Sequence, residues 1–161
     1  MNAIDLLEKQ HKEVKELFQK IEKADPDEKE RLFDRLADAL AVHAAIEEQH
    51  FYPATKDART EELLREAVEE HLSVKRIIAD LLEMEPDDVH FDAKITVLQE
   101  QVEHHVEEEE TELFPKVRKV RSKDELEDLG ILMEQTAEEL KSLGAPRMEV
   151  PKETGAAAPL D

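Results

Sequence analysis

The sequence predicts an all-α protein: an up-down antiparallel four-helix bundle with an additional C-terminal helix and a flexible tail. Three observations predict it. Glycine is scarce (3 of 161 residues), aromatic residues make up 4%, and the strong helix formers Glu, Leu, Lys and Ala dominate. Apolar residues recur at steps of three and four almost throughout, the period of a helix face. The connections between these stretches are short, which favours antiparallel neighbours.

A first helix is expected from Asn2 to Lys23, with Ile4, Leu7, His11, Val14, Phe18 and Ile21 on one face. Ala24-Asp25-Pro26 ends it, because proline disfavours helix in the residue before it. The second runs from about Asp27 to Lys56 through Leu32, Leu36, Leu40, His43 and Glu47. The third, opened by Thr60, carries Leu64, Val68, His71, Val74 and Ile78 and ends near Met84, before Pro86. The fourth spans roughly Phe91 to Val120, with Ile95, Leu98, Val102, His105 and Glu109 in step. Ser122 with Glu125 three residues later forms a capping box that starts a fifth helix. That helix carries Leu126, Leu129, Leu132, Met133, Thr136 and Leu140 and stops at Gly144. The stretch after it has three prolines and no period, so a flexible tail is expected there. The organisation expected is therefore a bundle over residues 1–121, a helix over 122–143 and a tail over 144–161.

Composition removes several function classes. Acidic side chains outnumber basic ones 42 to 22, a net charge of −20, which repels phosphate backbones and anionic lipid. Neither nucleic-acid nor membrane partners are expected. With no cysteine, disulfides, thiolate metal sites and cysteine nucleophiles are excluded. The opening MNAIDLLEKQ lacks the pattern of a signal peptide, so a cytoplasmic location is expected by default.

The chain repeats itself. HAAIEEQHFYP (residues 43–53) aligns without gaps on HVEEEETELFP (residues 105–115), and HKEVK from His11 matches HLSVK from His71. One helical hairpin therefore occurs twice, each copy with its histidine pair. His43 with Glu47, and His105 with Glu109, lie four apart, so their side chains sit one turn above each other on the apolar stripe. An inward carboxylate left charged and unpaired would cost several kcal/mol (about 2–7 even for a neutral polar group). A single inward histidine needs only an ordinary hydrogen-bond partner. Four in a repeated pattern with two inward glutamates suit a pair of metal ions. Imidazole nitrogen and carboxylate oxygen fit iron, manganese or zinc.

The motifs QHKEVKEL around His11, HAAIE followed by FYP, EEHLSVK around His71, and HVEEE followed by LFP resemble those of the hemerythrin-like (HHE cation-binding) family over roughly residues 1–121. The resemblance implies two non-haem irons. His11 and His43 would ligate one, His71 and His105 the other, with Glu47, Glu109 and an oxo or hydroxo group bridging them. Oxygen-carrying members have a further histidine and an aspartate where this sequence has Lys75 and Glu109. Each iron is therefore expected to keep an open position for a small diatomic ligand or peroxide (O2, NO or peroxide), in sensing, storage or scavenging.

Other polar residues are read more plainly. His104 faces away from the stripe and His90 lies in a loop, so both are expected at the surface, as are Glu107, Glu108 and Glu110. His50 falls one turn below Glu47, and its counterpart Glu112 would make a supporting pair with it. Tyr52 is read as packing, and Pro53 and Pro115 as kinks or helix ends. A ferritin-like oxidase or peroxidase is the alternative, resting on Glu8 with His11 and Glu47 with His50 at Glu-x-x-His spacing. A regulatory module acting through residues 122–161 on a protein partner is another.

Overall fold

The computed structural model describes residues 1–160; residue 161, the end of the expected tail, lies outside the described residues. Every regular element among them is helical. Helix α1 (Ala3–Lys23) starts where the Asn2 side chain accepts the Asp5 N–H. Asp25 caps α2 (Pro26–Ile46) in the same way, with Pro26 in the first turn, where no N–H is needed. Helix α2 continues through a π-turn (Glu47–Phe51) into the short α3 (Tyr52–Thr55). After a tight turn come α4 (Glu61–Leu82) and α5 (Phe91–Glu108). A second π-turn (Glu109–Leu113) then leads into α6 (Phe114–Val120). Ser122 and Glu125 form the expected capping box at the start of α7 (Lys123–Ser142). Thr60 does not cap α4 through its side chain; its hydroxyl donates to the Thr55 carbonyl and closes the preceding turn instead.

The π-turns fall inside the expected second and fourth helices, and Pro53 and Pro115, read as kinks or helix ends, explain them. A proline offers no N–H to the carbonyl four residues back and crowds it. Widening the preceding turn relieves both problems. The Tyr52 N–H bonds the Glu47 carbonyl and the Phe114 N–H bonds that of Glu109, five residues back in each case. The same irregularity therefore occurs in both copies of the repeat, and each time it begins at the inward glutamate.

The apolar core is divided in two. One cluster, around Leu7, Ile46, Phe51, Tyr52, Leu64 and Phe114, fills one end of the bundle. The other, around Phe18, Ile21, Leu36, Ile78, Phe91 and Leu98, fills the opposite end. The histidines and glutamates form a polar layer between them. Helix α7 packs against α1 and α2. A Cβ at Gly130 would stand 2.3 Å from the Met1 carbonyl oxygen, so only glycine allows this approach. Leu132, placed on the inward stripe by its spacing, is exposed; Gly130 and Ala137 occupy that face.

The segment after α7 corrects the expectation of a flexible tail. Gly144 and Ala145 both adopt left-handed backbone and turn the chain back onto the bundle, where Pro146–Glu153 form a 3-10 helix. Asp38 accepts from the Arg147 backbone N–H at 2.9 Å and from its guanidinium at 3.1 Å. Val150 and Leu160 are buried in the two core clusters. Prolines removed the helical period, while the few apolar anchors between them still found the core. No helix among the described residues is long and apolar enough to cross a membrane.

Candidate metal centre

All six residues singled out by the repeat, His11, His43, Glu47, His71, His105 and Glu109, are buried and converge between the two core clusters. One donor atom each of His11, His43, Glu47 and Glu109 lies within 4.8 Å of the others, and the same holds for Glu47, His71 and His105. Glu47 spans the layer: its Oε1 is 3.2 Å from His43 Nε2, 3.1 Å from His71 Nε2 and 3.9 Å from His105 Nε2. Glu109 Oε1 does likewise from the other side, 3.2 Å from His11 Nε2 and 3.5 Å from His105 Nε2. Each carboxylate thus stands between the two histidine pairs.

The outer nitrogens are oriented as well. Nδ1 of His11 lies 2.7 Å from Glu110, that of His71 2.7 Å from Glu48, and that of His105 2.7 Å from Glu70. His43 Nδ1 lies 2.7 Å from the Gln10 side-chain oxygen. These oxygens accept, so each Nδ1 carries the hydrogen and, in a neutral ring, Nε2 keeps its lone pair toward the centre. Each partner is a sequence neighbour of an inward residue: Gln10 and Glu70 precede His11 and His71, and Glu48 and Glu110 follow Glu47 and Glu109. Glu110, read as solvated, is therefore part of the centre. Lys75 donates to Glu48 at 2.9 Å, extending the His71–Glu48 pair, and also meets Glu153 of the C-terminal segment at 3.0 Å.

Tyr52, read as packing, is the clearest residue that sequence reasoning missed. It is fully buried and its hydroxyl donates to Glu109 Oε2 at 2.7 Å, with His71 and His105 Nε2 at 3.2 and 3.3 Å. The π-turn is the reason: it inserts one residue and rotates everything beyond it by roughly 100°. Nine residues after His43 would otherwise point to the opposite face. Its repeat counterpart Phe114 stacks on His11, ring centroids 6.0 Å apart and planes 5° from parallel.

Other expected sites do not assemble. His50 bonds the Thr136 hydroxyl at 2.7 Å, while Glu112 is exposed, so the two form no pair. Glu8 faces Arg118 at the surface. The two Glu-x-x-His spacings thus fail to build a ferritin-like centre. His90 and His104 are exposed, His104 beside Glu108 at 2.9 Å.

Charge in the layer is tightly balanced. Burial pushes the Glu47 carboxyl up, but His43, His105 and His71 outweigh it and hold it well below its ordinary range. Burial opposes charge on His105, yet Glu109, Glu47 and Glu70 hold that imidazole well above the usual histidine value. His71 and His11 are raised in the same manner, against their burial, by Glu47 and Glu48 and by Glu109 respectively. Burial, and then Glu109 and Glu47, push the Tyr52 phenol well up, so it remains a donor.

The comparisons with known proteins fit this geometry. The model of the Hemerythrin HHE cation binding domain matches residues 2–117. The chain belongs to the hemerythrin HHE cation-binding domain family. An uncharacterized protein of Mycobacterium tuberculosis is 32% identical over 149 residues, covering 91% of this chain and 90% of that one. A crystal structure of a Hemerythrin HHE cation binding domain-containing protein from Mycobacterium kansasii superposes with a TM-score of 0.81 at 27% identity, covering 96% of this chain and 94% of that one. A DNA nickase of Nostoc sp. is 27% identical over 128 residues; this chain spans 36% of its length.

Whether this HHE domain suits a cation can be judged from its own atoms. His43 Nε2 and both carboxylate oxygens of Glu47 are buried with no hydrogen-bond partner. Orphaned buried donors and acceptors of this kind are rare in folded proteins. Unshared lone pairs aimed at one point are what a cation takes up. The buried His/Glu cluster fits a metal-binding domain.

Proposed function

We propose that the centre holds a carboxylate-bridged pair of non-haem irons, where O2 or a related small ligand such as NO or peroxide binds for sensing, storage or scavenging. His11 and His43 would hold one ion, His71 and His105 the other, and Glu47 and Glu109 would bridge them. The observation that carries the reading is Glu47: a fully buried carboxylate whose oxygens have no hydrogen-bond partner, within reach of three imidazoles from three helices. Manganese and zinc accept the same donors, and the lack of thiolate disfavours copper(I).

Bound there, iron would supply electrons to the small ligand by moving between the ferrous and ferric states. The chain's own residues do the rest. Glu110, Gln10, Glu48 and Glu70 fix the orientation of the four imidazoles. Tyr52 holds a proton at its hydroxyl, 2.7 Å from Glu109 Oε2, beside the second histidine pair. The apolar clusters on either side exclude water. A net charge of −20 argues against a DNA substrate, so the nicking named for the Nostoc relative stays with that protein.

A regulatory reading has one observation of its own. The hydrogen-bonded chain Glu153–Lys75–Glu48–His71 joins the C-terminal segment to the centre, a physical route by which its state could reach a protein partner.

The test is to load the anaerobic protein with ferrous iron and mix it separately with O2, NO and hydrogen peroxide while recording the visible spectrum. New absorption with at least one of them is expected. A spectrum indifferent to all three would refute ligand binding at the centre.

A further inference from the structure

The histidine layer opens into a cavity of about 440 Å³ that runs away from Tyr52 and Phe114 toward the opposite end of the bundle. Its wall includes Val14, Leu40, Val74, Ile78, Val102 and Val150. Ile78 lies seven residues beyond His71 on α4, a displacement of about 10 Å at 1.5 Å per residue. The ions and a diatomic ligand would occupy only the histidine end, since one water takes up about 30 Å³. The whole space is about three times the ~150 Å³ apolar cavity that accepts benzene, and lies in the range of small-molecule sites, about 300–1,000 Å³.

Its far side is built, not left open. Gly144, Ala145 and Pro146 turn across it, and Glu149, Val150 and Glu153 line it from the 3-10 helix. That helix is pinned by Arg147 on Asp38 and by Lys75 on Glu153. The charges facing the cavity decide the ligand's own charge. The cation Lys75 is already matched by Glu48 and Glu153, and Glu149 is paired with Lys152 at 3.1 Å. Apart from the imidazoles of the histidine layer, which already face Glu47 and Glu109, no cationic side chain of the lining remains to pair with an anion. Gln49 offers an uncharged amide.

We propose that this cavity binds one uncharged, largely apolar organic molecule of at least naphthalene size, one end against the histidine layer and the other under the C-terminal segment. The site goes beyond the small-ligand reading and does not depend on which metal is bound.

The experiment is equilibrium dialysis of the full chain as purified against N-phenyl-1-naphthylamine, an uncharged apolar probe, with metal content measured on the same samples. Saturable binding of one probe per chain is expected. Ala41→Phe and Val74→Phe fill the cavity from α2 and α4 and replace none of the six inward residues. Each is expected to weaken binding at least tenfold while helicity and metal content stay at the wild-type level. If one variant misfolds, the other decides. No saturable binding to the wild type, or a folded variant that binds as tightly as the wild type, would overturn the proposal. Metal content reports on the metal reading separately.

Discussion

The two histidine pairs come from one repeated hairpin, yet what stands behind them differs. Around His11 and His43 the supports are Glu110, the uncharged Gln10, and the ring of Phe114. Around His71 and His105 they are Glu48, backed by Lys75, and Glu70, with Tyr52 reaching in to Glu109. The repeat thus duplicates the inner donors and varies their surroundings. One half has an apolar ring where the other has a proton donor. One half orients its second imidazole with an amide, the other with a carboxylate, which makes a ring a stronger donor. The two histidine pairs are therefore inequivalent, and the Tyr52 side is the one equipped to handle a proton.

The strongest way to break the comparison is at one of the two carboxylates both halves share. Glu47→Gln is expected to lower metal content from two ions per chain to below one, by elemental analysis, because its oxygens serve both pairs. A drop to one ion would assign Glu47 to a single half.

The next effect is on stability against pH. In the metal-free protein the imidazoles of His105, His71 and His11 have raised pKa values, so they stabilise the fold fully below the ordinary histidine value of 6.5. That contribution is lost as pH rises through the raised values. The metal-free melting temperature should therefore fall as pH rises from 6.5, and metal, which takes the place of those protons, should flatten the fall. Equal slopes with and without metal would mean the imidazoles bind none.

Tyr52→Phe makes the second half resemble the first. Loss of a hydrogen bond to a buried carboxylate should cost about 1.5–3 kcal/mol in denaturant unfolding of the metal-free protein, with both ions still bound in the loaded form. Phe114→Tyr is the mirror experiment. The smallest effect is expected from Gln10→Glu, which gives His43 the kind of partner His105 already has. Affinity for one ion of the pair should tighten by about tenfold, with the other unchanged.

Much of this centre was legible in the sequence because helix phase is simple arithmetic. The spacing of four within His43–Glu47 and His105–Glu109, and the pairing of His11 with His71 by repeat offset, turned all six side chains to one layer. Tyr52 was not legible because its position depends on the π-turn, and that turn depends on how the helix accommodates Pro53. Gln10, Glu48, Glu70 and Glu110 lie on the edge of the stripe, where a polar residue reads as solvated whether or not an imidazole waits behind it. The C-terminal segment was missed because a 3-10 helix with prolines carries no amphipathic period, and its docking rests on a few contacts such as Val150 and the pairing of Arg147 with Asp38.

The most direct measurement is the number of metal ions per chain in the wild type and in His105→Ala, both purified from iron-supplied cells and checked for helicity. Two ions in the wild type and one in the variant are expected. Two ions retained in His105→Ala, or none in a folded wild type, would contradict the assignment of these six residues to a metal pair.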